Sequence, residues 1–514
     1  MQYITHLLLV VASHNVKGGS YAFALASPSH PQPIQKVISR RAIGRYKQYF
    51  IGDVSHTNNT NEVKRASFSS RDVLNHMQSV LRSTFLPTTN QVSSLRQSGY
   101  LSYILYDNLQ DLTTALRSVL ATQRILEGVG VGRSGATALS ATLNFLLRDG
   151  CGMIASLLFT SVAASTFRRN IKRWKYFADI MVDIGITVEI LAPSVLSTRF
   201  HAWFLPLLCL GNVCKALCGV AAGSTGGALQ MFWAVKLTGS EEGISEVSAK
   251  GGAQRTVIGG IGLILAGLTA RWLDNGSVTS AGIKLQKKKL WISLYCLLTA
   301  LHLTFNWMSL KLVALDWLNG WRLHRLVDDF LSSIEARTKD ATCTTPVETS
   351  KAEPIFFLPE LKWKKRHVPK YPIRLGVSFN DLIDQSNASA TSLLTSARES
   401  NNDNYILKVG HTGRQLEKHR CILVAFTSEC SSKEKAKAYL HACLVGRALT
   451  SLSLANAQTK YNISNEEDTV DQAEKTGSTE ANAMWPVFER CAGEAGWKLD
   501  KTEVSTEGYE ICFE

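Results

Sequence analysis

The chain has 514 residues, of which 45% are apolar and only 19% charged, with a formal net charge of +14. A soluble domain usually carries about 25% charged residues, so charge is missing from part of this chain. Eleven cysteines without a CxxC pair exclude a compact disulfide scaffold and point to a reducing compartment. No nucleic-acid recognition module accompanies the positive charge, which excludes nucleic acid as a partner.

Residues 1–70 read as a polar leader, rich in Ser and Asn, with Arg40, Arg41, Arg45 and Lys47 and no acidic residue before Asp53. That composition is compatible with a transit peptide or with plain disorder, and a short strand is expected at 46–51. Residues 71–127 are helical by spacing. In 100–126, Leu101, Ile104, Leu105, Leu109, Leu112, Leu116, Val119 and Leu120 mark one face, and Arg117 and Arg124 fall off it. This predicts an amphipathic helix that covers a core or lies on a membrane surface.

From Gly128 onward, five apolar stretches follow, at 136–164, 177–196, 202–235, 257–273 and 290–318. Each approaches or exceeds the roughly 20 residues that span a bilayer. They are dense in Gly and Ala, which let helices approach closely in lipid. The alternative is a large soluble helical core. Charges inside these stretches, Arg148, Asp149, Asp179, Asp183 and Lys215, must pair, face a cavity or lie at an interface. Arg148 and Asp149 precede Gly150 and Gly152, which suggests a segment break there.

Two basic clusters flank the apolar stretches: Arg168, Arg169, Lys172, Arg173 and Lys175, then Lys284, Lys287, Lys288 and Lys289. Their placement favours lipid headgroups. The positive-inside rule places both on one side, yet counting single spans places them on opposite sides. A re-entrant, interfacial or doubly spanning segment, best at 202–235, would reconcile the two.

After Asp329 the chain turns polar. Residues 331–372 read as a linker and 373–514 as a small α/β domain. Strands are expected at 406–409, 421–426 and 509–513, helices at 433–452 and 484–496, and disorder at 455–479.

The motifs that would carry catalysis are weak. Gly130, Gly132 and Gly135 match GxGxxG, but a helical pattern precedes them instead of a strand. Ser134 and Ser224 make no GxSxG, and the twelve histidines form no HExxH. His302, on an apolar segment, reads as a satisfied core histidine. The polar block at 248–254, with Lys250 and Gln254 at i and i+4, is either a loop opening a helix or a site where Lys250 holds an anion. No catalytic, cofactor or metal residues are assigned.

The order of blocks carries more than any single motif. FLP at 85–87, LATQRILEGVGVG at 120–132, LNFLLRDGCGM at 143–153, RWKYFADIMVD at 173–183, GNVCKALCGVAAGST at 211–225 and SEVSAKGGAQ at 245–254 resemble the root UVB sensitive family over about residues 85–330. RLGVSF at 374–379, AYLHACLV at 438–445 and AGWKLDK at 495–501 are similar to that family's tail domain. Thr225 is followed by Gly226 where the family has Arg, and TGSEEGISE at 238–246 replaces its Asn-containing stretch. The family's Asn-x-x-Arg survives as Asn319 and Arg322. The resemblance implies a membrane-associated protein without an established enzymatic activity. It also implies links to vitamin B6 homeostasis, UV-B and developmental responses and auxin transport, and partnership with a second family member.

The expected fold is therefore mainly α: a Gly-rich, multi-helix transmembrane core over 71–330, then a small α/β C-terminal domain. The partners expected are membrane lipids and another protein, and the location is a membrane whose organelle the sequence leaves open. The polar functional positions expected are Arg148, Asp149, Asp179, Asp183, Lys215, Lys250 and Gln254. A transporting or scaffolding core, a soluble interaction protein and, last, a cofactor-binding enzyme are the three functions considered.

Overall fold

In the computed structural model the described residues are 37–40, 46–49, 70–87, 95, 97–129, 138–195, 201–274, 281–336, 341–355, 371–386, 389, 391, 393, 404–412, 419–458, 466–504 and 510–511. The rest of the leader and the glycines at 130–135 lie outside them. Within the unit Met1–Ser83, strands β1 (Val37–Arg40) and β2 (Tyr46–Tyr49) pair antiparallel, and β2 lies where a strand was expected. Helix α1 (Ser70–Phe85) leads out of that unit.

Six long helices follow: α2 (Tyr100–Val129), α3 (Ala138–Ala163), α4 (Ile171–Leu191), α5 (Phe204–Thr238), α6 (Ile244–Asp274) and α7 (Ala281–Leu312). Contacts along their lengths fix their directions. Gln110 and Arg117 of α2 meet Asp179 and Asp183 of α4 in the same order, so these two run parallel. The same residues meet His302 and Thr299 of α7 in reverse order, so α7 runs antiparallel to α2. Helix α6 is parallel to α2, with Gln254 against Asn108 and Gly262 against Ala115. Helices α4 and α5 are antiparallel and meet at glycines. A Cβ on Gly185 would come within 2.6 Å of the Gly211 carbonyl oxygen, so only glycine permits this crossing.

Three expectations about this bundle need correction. The stretch at 202–235 is one continuous helix of 35 residues, roughly 50 Å long at 1.5 Å per residue. It is neither re-entrant nor doubly spanning, and the two basic clusters lie towards opposite ends of the bundle. Helix α3 runs unbroken through Gly150 and Gly152. Among the described residues four helical segments, not five, are long and apolar enough to cross a membrane: Thr142–Thr166, Phe204–Thr238, Glu241–Thr269 and Leu290–Leu312. Helix α4 falls short because it carries Asp179, Asp183 and Glu189, all buried.

Helix α2 is amphipathic as expected, but the face it buries most deeply is the polar one. Its buried stripe is Tyr100, Tyr103, Asp107, Gln110, Thr113, Arg117 and Leu120, at helical spacing. Of the leucine-rich face only Leu120 is buried, and Leu105 is 55% exposed. The polar face points in because its partners, on α4 and α7, are polar too. The rest of the leucine face is half-buried, with Leu101 and Ile104 packed against an apolar cluster, whereas α3 turns its apolar face outward, with Leu157 74% and Val162 80% exposed.

The chain then leaves the bundle through β3 (Trp317–Asn319) and α8 (Gly320–Glu335). The Asn319 side chain caps α8 by accepting from the Arg322 backbone N–H at 2.9 Å, and its amide donates to the Arg169 carbonyl at 3.1 Å. Helix α9 (Pro346–Ala352) starts with a capping box of Thr345 and Glu348 and with Pro346 in its first turn.

The tail is an α/β layer. Strand β6 (His419–Thr427) is central, flanked by β5 (Tyr405–Thr412) antiparallel on one side. On the other side lie β4 (Ile373–Leu375) and β8 (Glu510–Ile511), both parallel to it. Between β4 and β5 comes α10 (Phe379–Ser386). Helices α11 (Ser432–Gln458) and α12 (Glu466–Glu494) follow β6, and β7 (Lys498–Glu503) pairs parallel with β3. Residues 421–426 of β6 are fully buried: Ile422, Val424 and Phe426 share a core with Leu323, Leu326, Phe330 and Leu331 of α8, and Cys421, Leu423 and Ala425 pack on the other face with Val377, Leu382 and Leu393. Helix α8 thus packs with the tail, although its sequence continues the bundle.

Helix α12 begins inside the stretch expected to be disordered, which is a correction. Thr469, Ala473, Gly477 and Ala481 recur every fourth residue and are all buried. A Cβ on Gly477 would lie 2.4 Å from Val445 Cγ2, so this small-residue stripe lets α12 lie close against α11. The polar composition of the other faces hid it.

Candidate functional site

The polar stripe of α2 meets two further stripes. Helix α4 contributes Lys175, Asp179 and Asp183 at i, i+4 and i+8, and α7 contributes Thr299, His302 and Asn306. Asp179 accepts from Gln110 Nε2 at 2.8 Å and from Asn306 Nδ2, and it pairs with Lys175 at 3.3 Å. Asp183 pairs with Arg117, which is fully buried and also donates to Thr299 at 3.4 Å. His302 Nδ1 lies 3.1 Å from Asp183 Oδ2, and its Nε2 lies 3.4 Å from the Gln110 amide nitrogen. A proton on Nδ1 satisfies both contacts: the ring donates to the carboxylate and accepts from the amide.

Beside this cluster, between α2, α4, α5 and α6, is a cavity of about 520 Å³. Aromatic side chains of Tyr100, Tyr103 and Trp233 wall one end, and the Trp233 ring lies 5.2 Å from Tyr100 and 5.1 Å from Tyr103. Asp107, Asp111 and Asp179 face it together with Lys175 and Arg255, three carboxylates against two cations. Gly223, Gly226 and Gly227 of α5 and Gly251 of α6 leave the opposite wall open. Tyr100 Oη, Gln110 Oε1 and Trp233 Nε1 belong to residues lining this cavity, are buried, and have no hydrogen-bond partner among the described residues. Buried polar atoms are nearly always paired. These three atoms lie behind the cavity wall, too deep for a water molecule to touch.

The structure brings together only part of what the sequence suggested. Asp179 and Asp183 are in the cluster. Lys215 pairs instead with the fully buried Glu189 at the α4–α5 glycine crossing. Arg148 and Asp149 pair with each other at 2.8 Å on α3, where the Asp149 side chain is 56% exposed. Lys250 lies 3.9 Å from Glu246 and outside the cavity lining. Gln254 is structural: it donates to the Phe85 carbonyl and accepts from Asn108 at 3.3 Å, which ties α6 to the segment leading into α2. Arg117, Gln110, Asp107 and Asn306 were missed. The signal for them was the second, polar stripe on α2, which the leucine stripe outshone. Among the described residues no group of three or more His, Cys, Asp or Glu side chains could hold a metal ion.

The first basic cluster is glue between bundle and tail. Lys172 pairs with Glu353 at 2.9 Å and donates to Ser350 at 2.7 Å, and Arg322 pairs with the other oxygen of Glu353 at 2.8 Å. Burial alone would raise the Glu353 carboxyl, but the Arg322 and Lys172 cations outweigh it and hold it down at about 2. Burial lowers Lys172 to about 8 against the pull of Glu353. Arg173 reaches the Pro354 carbonyl and Arg168 pairs with Glu503 at 2.6 Å. These five residues are thus largely engaged by protein. The side chains of the second cluster, Lys284 to Lys289, lie outside the described residues.

Comparison with known proteins places this geometry in a family. The profile described as "Vitamin B6 photo-protection and homoeostasis domain" matches residues 71–334, and that of "Root UVB sensitive protein, C-terminal" matches 342–511. The chain belongs to the root UVB sensitive family. It is 32% identical over 301 residues to "RUS family member 1" of Dictyostelium discoideum, covering 58% of this chain and 50% of that protein. It is 32% identical over 234 residues to "Protein root UVB sensitive 3" of Arabidopsis thaliana, covering 46% and 48%. The match thus spans about half the length of each of these relatives. With "Protein root UVB sensitive 6" of Arabidopsis thaliana it is 24% identical over 481 residues, 91% of this chain and 85% of that protein. No solved structure matches it. In this root UVB sensitive protein the Asn319–Arg322 pair, recognised from sequence, caps α8 and clamps Glu353.

Proposed function

We propose that the helical bundle is a membrane-embedded binding and transport core for a small, protonated nitrogen heterocycle of the vitamin B6 class. The observation that carries this reading is the cavity itself. Its aromatic walls suit a flat ring, and its carboxylate excess suits positive charge. The outward apolar faces of α3, α6 and α7 support placement in a bilayer, since contiguous exposed apolar surface of this extent is rare on soluble proteins. The family's vitamin B6 description supports the ligand class.

This reading changes the ligand expected from sequence. An anion held by Lys250 finds no support, because Lys250 is outside the cavity and acids outnumber bases within it. A phosphorylated vitamer would meet like charge; an unphosphorylated one would not. Binding and passage, with no chemical step, account for every group described. A partnered, non-transporting role remains the second reading, supported by the interacting pairs that the family resemblance implies.

The test is direct. Full-length protein in phosphatidylcholine nanodiscs is titrated with pyridoxine while Trp233 fluorescence and calorimetric heat are recorded. Saturable binding is expected, weakened by roughly tenfold in Asp107→Asn through loss of one charge-assisted contact. Absence of saturable binding by folded protein, or binding that Asp107→Asn leaves unchanged, would contradict the proposal.

A further inference from the structure

A second, larger cavity of about 810 Å³ opens where the bundle meets the tail. It lies on the other flank of α5 from the first, and Gly227 contributes to both. Its floor is apolar, built from Met231 and Val235 of α5, Trp317 of β3 and Val347 of α9. Its rim is cationic: Arg168, Lys236, Lys498 and Lys501 against Glu241 and Asp316, four positive groups to two negative.

Not all of that charge is spent on the protein. Arg168 is paired with Glu503, and Lys498 with Asp316 at 2.6 Å. Lys236 lies over the Phe232 and Trp233 rings, at 5.3 Å and 5.4 Å from their centroids, and contributes to the cavity lining. It is the last basic residue of α5, one turn before the helix ends at Gly239, whose φ of 76° turns the chain away. Lys501 is on the exposed face of β7. The two lysines thus come from different elements, one from the bundle and one from the tail.

From this geometry we infer a binding site for a phosphate-bearing amphiphile, with the phosphate between Lys236 and Lys501 and the apolar body on Met231, Val235 and Trp317. Lysine ammonium groups are compact point charges that serve a tetrahedral anion from separate directions. The apolar floor would waste a fully hydrated ion, and the cationic rim would waste a neutral lipid. The position suits a headgroup, since the rim lies at the end of a helix long and apolar enough to cross a bilayer. The same chemistry could be met by a soluble phosphate monoester with an aromatic or alkyl body. Either ligand would bridge the bundle and the tail, and so would favour their contact. The inference does not depend on what the first cavity binds.

The experiment uses the full chain in two arms. In the first, the protein in phosphatidylcholine nanodiscs receives increasing phosphatidic acid, and retained lipid is counted by native mass spectrometry after release. In the second, phenyl phosphate is titrated into the same nanodiscs by calorimetry. Preferential retention of phosphatidic acid identifies a lipid site, and saturable phenyl phosphate binding identifies a soluble ester. In either arm, K236E/K501E is expected to weaken binding roughly tenfold or more, since it removes two charged contacts. K236R/K501R keeps the charge and is expected to stay within about threefold. Lys501 is exposed, so Lys501→Glu alone reports on the site even if the double variant folds poorly. Absence of preference in both arms, or binding that neither Glu variant changes, would overturn the inference.

Discussion

The bundle and the tail differ in what they leave outside. In the tail, the strand residues 421–426 and the helical Phe330 and Phe488 are fully buried, and polar side chains face outward. In the bundle, Arg117, Asp179, Asp183, His302 and Asn306 are buried, while leucines and isoleucines of α3 and α6 face outward. The tail follows the rule of a water-soluble domain, in which burial of apolar area drives folding. The bundle shows the pattern that the proposed bilayer placement requires, in which outward apolar faces cost nothing and polar groups must find each other inside. One chain thus shows both patterns, and it switches between them at β3 and α8.

Three substitutions press on that difference. The largest effect is expected from Arg117→Ala, which leaves Asp183 charged and buried beside His302. Removing one partner of a buried pair costs about 3–5 kcal/mol, to be read as a large drop in thermal midpoint of the purified protein. Next is Leu157→Arg on the outward face of α3. On a water-facing surface it would change stability by about 0.5 kcal/mol or less. In lipid it costs about 2.5–3.5 kcal/mol, so a clear loss of folded protein in membranes is expected. A matched change on the tail, Leu454→Arg at a residue 60% exposed, should be tolerated.

A smaller loss than that of Leu157→Arg is expected at the junction. Glu353 is held at about 2, below the ordinary carboxylate value of 4.5. Its charge therefore contributes stability above pH about 4.5, and the contribution is lost as pH falls towards about 2. Glu353→Gln keeps the shape and removes the charge that Lys172 and Arg322 face. It is expected to cost about 2 kcal/mol near neutrality and to flatten the acid limb of the stability profile between pH 4.5 and 2. Urea titrations at stepped pH measure both.

Much of this division was legible in the sequence. The apolar stretches with Gly and Ala, the α/β tail and the Asn319–Arg322 pair were visible because composition and motif order are local. What was hidden depended on which side of a helix faces inward. The leucine stripe of α2 drew attention to its apolar face, and only the polar stripes on α4 and α7 show that the polar face is the more deeply buried one. Asp179 and Asp183 could be picked out as charges within an apolar run, whereas Arg117 and Gln110 sat in a helix polar enough to look unremarkable. In the tail, the every-fourth-residue stripe from Thr469 to Ala481 consists of small residues, so it has no hydrophobic signature. The pairing of Lys215 with Glu189 likewise needs the Gly185–Gly211 crossing, which no single segment reveals.

The central claim is that the bundle is turned outward to lipid while the tail is not. A lipid-borne photoactivatable carbene tests it most directly, with labelled peptides mapped by mass spectrometry in intact membranes. Label is predicted on the outward residues Leu146, Leu157 and Val162 of α3 and Leu263, Ile264 and Leu268 of α6, and absent from β5 and β6. Absence of label on α3 and α6, or equal label on bundle and tail, would contradict the account.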